Sequence, residues 1–174
     1  MNYIFSAFFL YFFLGFLLYI FQRRIIFNKS GHPGAPRDYN LDNTEEVYIK
    51  TEDNLKLLSW YHKGNNSLPL LVYFHGNSFH IGDRAYRIQR YIEKNWSVLL
   101  VSWRGFGGNE GNPTEKNLYK DAEAVLKWIK NNTEFKFKEL VIYGESLGSG
   151  VAVEIGTKYK FLSIVLEAPF TSIN

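Results

Sequence analysis

Residues 140–150 read LVIYGESLGSG, an apolar run that passes directly into a glycine-rich turn. The apolar half predicts a buried strand, and the small residues after Ser146 predict a closely packed helix. The pattern between them is G-x-S-x-G, in which a sharp turn strains the serine backbone and leaves no room for side chains at Gly144 and Gly148. We therefore interpret Ser146 as a nucleophile on a nucleophile elbow. The alternatives are an ordinary glycine-rich turn and a phosphate-binding loop, but the latter requires a Lys-Ser/Thr ending that is missing here.

Strand and helix patterns alternate along the rest of the chain. Apolar or alternating runs predict strands at 46–50, 55–62, 69–74, 97–102, 140–143 and 162–166, with a hairpin turn at Asp53-Asn54. Apolar residues at helical spacing predict helices at 84–94, 113–131 and 146–159. This alternation predicts an α/β fold with a doubly wound, mostly parallel sheet that is covered on both faces.

The first segment has a different character, because Tyr3 to Phe21 carry no charge. Nineteen helical residues span roughly 28 Å, close to the thickness of a hydrocarbon core. A buried core helix is rarely apolar on every face, and a cleaved signal peptide carries basic residues before its apolar run. Here Arg23 and Arg24 follow the run. We expect a retained single-pass transmembrane helix at 3–21, a juxtamembrane linker at 22–43 that lacks regular structure at 32–36, and a globular domain at 44–174. The basic flank favours a globular part in the cytoplasm, and the transmembrane helix makes the lipid bilayer a partner of the chain.

Composition excludes several kinds of function. The chain has 174 residues and no cysteine, so disulfides, thiolate metal sites and cysteine nucleophiles are excluded. Its net charge of +3 comes from scattered residues, which gives no footprint for nucleic acid. The four histidines show no metal-ligand spacing. We therefore expect no metal, no cofactor and no nucleic-acid partner.

The segment His75-Gly76-Asn77 follows the strand predicted at 69–74. Such a turn can direct a backbone N–H at the oxygen of a tetrahedral intermediate, and Leu147 would supply the second N–H. We favour Asn77 as the donor, with Ser78 as the alternative, and expect His75 to brace the loop rather than exchange protons. The glycine-rich segment 103–108 belongs at the same edge of the sheet, either as a pocket wall or as a plain turn.

Four motifs occur in an order that resembles a known family: FHGN (74–77), SWRGFGGNEGNPTE (102–115), YGESLGSG (143–150) and LEAPFTS (166–172). Together they are similar to the Bem46-type, membrane-anchored branch of the α/β-hydrolase family. The resemblance covers roughly residues 45–174. It implies an eight-stranded sheet with an antiparallel second strand, and ester or amide hydrolysis through a Ser–Asp–His triad. It places Ser146 at the nucleophile, and Asn77 and Leu147 at the oxyanion positions.

The chain departs from that family after the serine, because no aspartate and no histidine follow Ser146. Glu167 is either a replacement for the triad acid or a polar residue at a strand end. His32, His62 and His80 all precede the serine in the chain, whereas the family's histidine follows it. The family fold also places that histidine on the opposite side of the serine from the oxyanion loop. We therefore expect a truncated or split gene product, in which a second polypeptide supplies the rest of the fold. The strand at 162–166 would then form a bare apolar edge.

Two functions remain open at this stage. The first is a serine hydrolase that acts on a small ester, with acyl or lipid-like esters favoured, once the missing Asp and His are supplied. The second is a catalytically inactive remnant, or a membrane-tethered interaction module. A working base separates the two, because without one the serine hydroxyl stays protonated and loses on the order of a million-fold in rate.

Overall fold

The computed structural model describes residues 2–27 and 31–170 of the chain. Within these residues it contains four α-helices: α1 (Asn2–Ile26), α2 (Ala85–Glu93), α3 (Glu115–Asn132) and α4 (Leu147–Lys158). The described part also contains six strands: β1 (Thr44–Lys50), β2 (Lys56–His62), β3 (Leu70–Phe74), β4 (Ser97–Val101), β5 (Leu140–Glu145) and β6 (Ser163–Glu167). The predicted order of strands and helices is confirmed.

The strands form one sheet in the order β1-β2-β4-β3-β5-β6. β2 runs antiparallel to β1 and β4, and all other neighbouring pairs are parallel. The predicted mostly parallel sheet with an antiparallel second strand is therefore confirmed. From β3 the chain moves to β4 on one side and later to β5 on the other. The carboxyl ends of β3 and β5 consequently border the kind of crevice in which open α/β sheets bind ligands.

Helices cover both faces of this sheet. Every residue of β3 and β4 is buried, as expected for strands that are packed on two sides. Alternate residues of β3 belong to different cores: Leu70, Val72 and Phe74 pack on the side of α3 and α4, and Leu71 and Tyr73 pack on the side of α2. The period-2 geometry of a strand thus ties β3 to both layers.

The segment before β1 differs from the prediction. No regular structure was expected at 32–36, and this holds through Ala35, but Pro36 begins a short 3-10 helix that ends at Tyr39. A proline fits there because the first residue of a helix has no intrahelical N–H bond to lose. The Tyr39 ring packs on Trp60, with 5.4 Å between ring centroids, and Leu41 is buried. These residues therefore pack against the sheet.

Residues Tyr3–Gln22 of α1 form a helix that is long and apolar enough to cross a membrane, and none of this stretch is buried in the structure. Two predictions, the orientation in the membrane and the last family motif, depend on residues or side chains that the structure does not describe. These are the side chains of Arg23, Arg24 and Lys29, on which the predicted orientation depends, and residues 171–174, which include the end of the last family motif.

Candidate active site

Ser146 occupies the turn between β5 and α4. Its backbone angles are φ 47° and ψ −110°, a conformation that L residues rarely adopt. The Ser146 N–H donates to the Glu167 carbonyl oxygen (2.8 Å), and the Ser146 carbonyl accepts from the N–H (2.8 Å) and the hydroxyl (2.6 Å) of Ser149. The strained residue is therefore held at both of its backbone polar groups, with its side chain at the carboxyl edge of the sheet.

The two glycines of the motif lie where three elements meet. A Cβ on Gly144 would lie 2.5 Å from the Gly148 carbonyl oxygen and 2.6 Å from the Ser149 Cα. A Cβ on Gly148 would overlap the Phe74 carbonyl oxygen at the end of β3. Only glycine fits at either position without moving backbone, which is the steric demand predicted from the sequence.

The loop after β3 passes directly beside the serine. A Cβ built on Gly76 would lie 3.4 Å from the Ser146 Cβ and 3.1 Å from Glu145 Oε1. The fold therefore brings the His75-Gly76-Asn77 loop and the start of α4, with Leu147, next to Ser146. The roles of Asn77 and Leu147 as oxyanion donors remain predictions.

His75 is buried inside this loop. The His75 Nδ1 lies 2.7 Å from the Gly76 carbonyl oxygen, so the ring proton belongs on Nδ1. The backbone carbonyl of His75 accepts a hydrogen bond from Trp103 Nε1 (2.9 Å). Burial, assisted by the positive charge of Arg84, lowers the His75 pKa to about 3. A neutral imidazole in this position is suited to bracing the loop, which remains the predicted role of His75.

In the described part of the chain, none of the other histidines hydrogen-bonds to the Ser146 hydroxyl. His62 pairs with Val98 near the amino end of β4, at the opposite edge of the sheet from Ser146. His80 Nδ1 lies 3.0 Å from Asp83 Oδ2. The Nδ1 of His32 accepts from the Gly34 N–H (3.1 Å). That these histidines are poor candidates for the base remains a prediction.

Glu167 has other partners. Its Oε2 accepts from Arg87 Nη1 (2.6 Å) and from the Tyr143 hydroxyl (2.7 Å). The Glu167 side chain is thus hydrogen-bonded to residues of α2 and β5. This favours the interpretation of Glu167 as a polar residue at a strand end over that of a replacement for the triad acid. Its backbone carbonyl is the group that contacts Ser146.

The loop after β4 is fixed by buried aromatic and charged groups. The Trp103 ring stacks on Phe74 with 5.1 Å between centroids. The Arg104 guanidinium is buried and pairs with Asp121 of α3 (2.6 Å) and with Asp53 of the β1–β2 hairpin (2.7 Å). This segment was expected to be either a pocket wall or a plain turn, and the ion pairs make it a rigid junction of three elements.

Sequence reasoning missed one group of residues at the elbow. Glu145, the variable residue before the serine, is bound by Arg84 and by the Tyr73 hydroxyl. A charged residue at the end of an apolar strand was the available signal, but its partners lie 61 and 72 positions away in the chain. No local pattern links residues at such separations.

In the described ranges 2–27 and 31–170, no group of three or more His, Asp or Glu side chains is arranged to hold a metal ion.

A family model matches the part of the sequence that forms this site. The model described as serine aminopeptidase S33 covers residues 66–174, which include the β3 loop and the elbow. An uncharacterized protein of Mycobacterium tuberculosis is 34% identical over 157 residues, covering 87% of this chain and 55% of that protein. The protein Bem46 of Schizosaccharomyces pombe is 30% identical over 173 residues, covering 92% of this chain and 57% of that protein. The predicted resemblance to Bem46 is confirmed.

Two further relatives carry informative names. An uncharacterized membrane protein of Saccharomyces cerevisiae is 30% identical over 164 residues, with 90% of this chain and 57% of that protein covered. A lysophosphatidylserine lipase of Danio rerio is 30% identical over 169 residues, with 79% and 42% covered. The chain therefore spans about half the length of the curated relatives it matches.

Solved structures agree with this assignment of the fold. The esterase Pf2001 of Pyrococcus furiosus superimposes with a TM-score of 0.61 at 28% identity, over 73% of this chain and 51% of that one. The predicted α/β-hydrolase sheet is thereby confirmed.

Proposed function

Because the chain belongs to the α/β-hydrolase family described as serine aminopeptidase S33, we propose that it is a membrane-anchored serine hydrolase with Ser146 as its nucleophile. The observation that carries the proposal is the strained backbone of Ser146, held between two glycines that admit no side chain. Strain of this kind persists where the surrounding structure enforces it, and it exposes the serine oxygen at the sheet edge.

The reaction is acyl transfer from an ester or amide. The Ser146 oxygen bonds to the substrate carbonyl carbon and passes its proton to a histidine, which then protonates the leaving group as the old bond breaks. The backbone N–H groups of Asn77 and Leu147 stabilise the negative charge that develops on the carbonyl oxygen. Leu147 opens α4, so the positive end of the helix dipole adds to this stabilisation. Water then attacks the acyl-serine ester. The histidine takes a proton from this water and returns it to the Ser146 oxygen as the acyl group leaves.

The histidine and the acid come from a segment outside this sequence. Two facts support this part of the proposal: no described histidine hydrogen-bonds to the Ser146 hydroxyl, and the matched relatives are about twice as long as the matched region. That segment, carried by further chain or by a second polypeptide, pairs along β6. The residues Ile164, Val165 and Leu166 of this strand are each 39% exposed.

The substrate class that we propose is an acyl or lipid-like ester. A helix that can span a membrane holds the site near lipid, and a relative at 30% identity is named as a lipase. We also propose that the helix is a single-pass anchor and that the globular part faces the cytoplasm.

The second candidate is a membrane-tethered interaction module without catalysis. The exposed apolar edge of β6 favours it, because such an edge readily accepts a strand from another chain. Catalysis separates this candidate from the first, since both share the anchor and the fold.

Labelling with a fluorophosphonate probe tests the proposal. In native membranes we expect Ser146 to be labelled, and Ser146→Ala to abolish the label. The control is Ser67→Ala, an exposed serine in the turn before β3, which should retain the label. The isolated chain should label at least about a thousand-fold more slowly, because it lacks the base. Absence of label at Ser146 in native membranes would exclude the hydrolase and leave the interaction module.

A further inference from the structure

Two glutamate residues adjoin the backbone of Ser146. Glu145 directly precedes it, and the Glu167 carbonyl accepts its N–H (2.8 Å). Each side-chain carboxylate is bound by an arginine and a tyrosine hydroxyl. The two arginines lie three residues apart, because Arg84 directly precedes α2 and Arg87 lies in its first turn. Residues three apart on a helical segment face the same way, so both arginines reach the same edge of the sheet.

The first clamp consists of Arg84, Glu145 and Tyr73. Arg84 donates from Nη2 to Glu145 Oε1 (2.8 Å) and from Nε to Glu145 Oε2 (3.1 Å), a two-point contact, and the Tyr73 hydroxyl donates to Oε2 (2.9 Å). The remaining Nη1 of Arg84 donates to the Ser78 carbonyl (2.7 Å). One guanidinium therefore ties the elbow to the loop that carries the proposed oxyanion donor.

The second clamp repeats this arrangement one strand further along the sheet. Arg87 Nη1 donates to Glu167 Oε2 (2.6 Å), which also accepts from the Tyr143 hydroxyl (2.7 Å). The two tyrosine rings stack, with 4.7 Å between centroids and 10° between planes. The sheet register pairs Tyr73 with Tyr143, and Glu145 with Glu167.

The protonation states match these roles. Burial and the neighbouring Glu167 raise the Tyr143 pKa to about 12, so its hydroxyl remains a donor. Burial acts to raise the Glu145 pKa, but the hydrogen bonds and charge of Arg84 outweigh it and keep the pKa below its ordinary value. The Tyr143 hydroxyl and the Glu145 carboxylate therefore keep these donor and acceptor roles around neutral pH.

We propose that Arg84 and Arg87 are positioning residues, which hold the strained Ser146 backbone between two glutamates by anchoring their side chains. Through this backbone they set where the serine oxygen and the Leu147 N–H stand. The catalytic consequence rests on the proposed hydrolase function, whereas the positioning itself does not. A misplacement of about 1 Å at a reacting group can cost on the order of a hundred-fold in rate.

The positioning is tested without catalysis by amide hydrogen exchange at Ser146 in the full chain. Arg87→Gln is the main variant, because the Arg87 side chain is 31% exposed and its loss leaves no fully buried charge. Arg90→Gln is the matched control. Arg90 lies on the same helix and lines a surface cleft together with Arg87, Tyr73 and Tyr143, but it has no ion pair among the described residues. We expect Arg87→Gln to reduce the protection of the Ser146 N–H at least about ten-fold, and Arg90→Gln to leave it unchanged. Equal protection in both variants and the wild type would overturn the proposal.

A second variant examines the buried clamp. Arg84→Lys keeps the charge but loses the two-point contact, and we expect it also to expose the Ser146 N–H to exchange. In the fluorophosphonate reaction, each clamp variant should label about 10- to 100-fold more slowly per folded molecule. If a variant has a lowered melting temperature but labels at the wild-type rate per folded molecule, the clamp stabilises the fold without positioning Ser146 for reaction. If the wild type itself does not label, the hydrolase proposal fails, and the exchange experiment alone decides on the positioning.

Discussion

Gly148 carries the tightest constraint on any single residue of the elbow. Its Cα faces the Phe74 carbonyl at the end of β3, so a methyl group there meets backbone rather than a side chain that could rotate away. Gly150, two residues along the same helix, meets only the far end of the Phe170 ring at 3.0 Å. The two glycines share a helix but differ in what surrounds them.

We predict that Gly148→Ala lowers the free energy of unfolding by about 1–3 kcal/mol or more, because β3 and α4 must separate. Gly150→Ala should be close to neutral, since the gain in helix propensity, at most about 1 kcal/mol, offsets the shift of one ring. Urea denaturation of both variants measures the difference. Equal losses in the two variants would contradict the assigned geometry.

His75 makes stability depend on pH. Its pKa is about 3 in the folded chain against 6.5 as the ordinary value, so between these pH values the unfolded state binds more protons. Stability from this group is complete above pH 6.5 and falls as the pH drops towards 3.

We predict that the wild type loses about 1–2 kcal/mol more than His75→Asn when the pH falls from 7 to 5. Burial also lowers the pKa of His62, so the His75→Asn variant retains part of the dependence of unfolding free energy on pH. His32→Asn serves as the control and should behave like the wild type. Denaturation midpoints at the two pH values provide the measurement, and parallel slopes for wild type and His75→Asn would contradict the prediction.

At the scale of elements, Arg104 joins the loop after β4, helix α3 and the β1–β2 hairpin. The Asp121 side chain is completely buried, whereas Asp53 is 41% exposed. Water can therefore replace one partner of the guanidinium but not the other.

We predict that Asp121→Asn costs about 3–5 kcal/mol of unfolding free energy, because it removes the fully buried carboxylate that accepts from Arg104 Nε and Nη2 and leaves only the partly exposed Asp53 to balance the charge. Asp53→Asn should cost less, about 1 kcal/mol, because Asp53 is 41% exposed and Asp121 still balances the charge of Arg104. Thermal and urea unfolding of the two variants compare them directly. A larger loss for Asp53→Asn would show that the hairpin contact is the stronger one.

For the whole molecule, one helix that can cross a membrane precedes a sheet domain with an exposed apolar strand at one edge. The proposed orientation places the sheet domain in the cytoplasm. Because the sequence has no cysteine, a single introduced thiol reports the side of the membrane on which it lies.

We predict that Lys94→Cys, at an exposed position after α2, reacts with a membrane-impermeant maleimide only after the cells are permeabilised. Glu52→Cys, in the exposed β1–β2 turn, should behave in the same way. Labelling of both thiols on intact cells would place the domain outside.

The sequence by itself determined the order of elements, the apolar helix and the elbow, because these depend on local periodicity and on glycines at fixed spacing. Ser146, Gly144 and Gly148 were found in this way. Only the tertiary structure decided which charged residues meet. Arg84 and Glu145, or Arg104 and Asp121, come together because parallel strands and their crossover helices bring distant segments to one edge. Hydrophobic periodicity places a side chain on a face of the sheet, but the pairing of charges depends on the register between elements far apart in the chain.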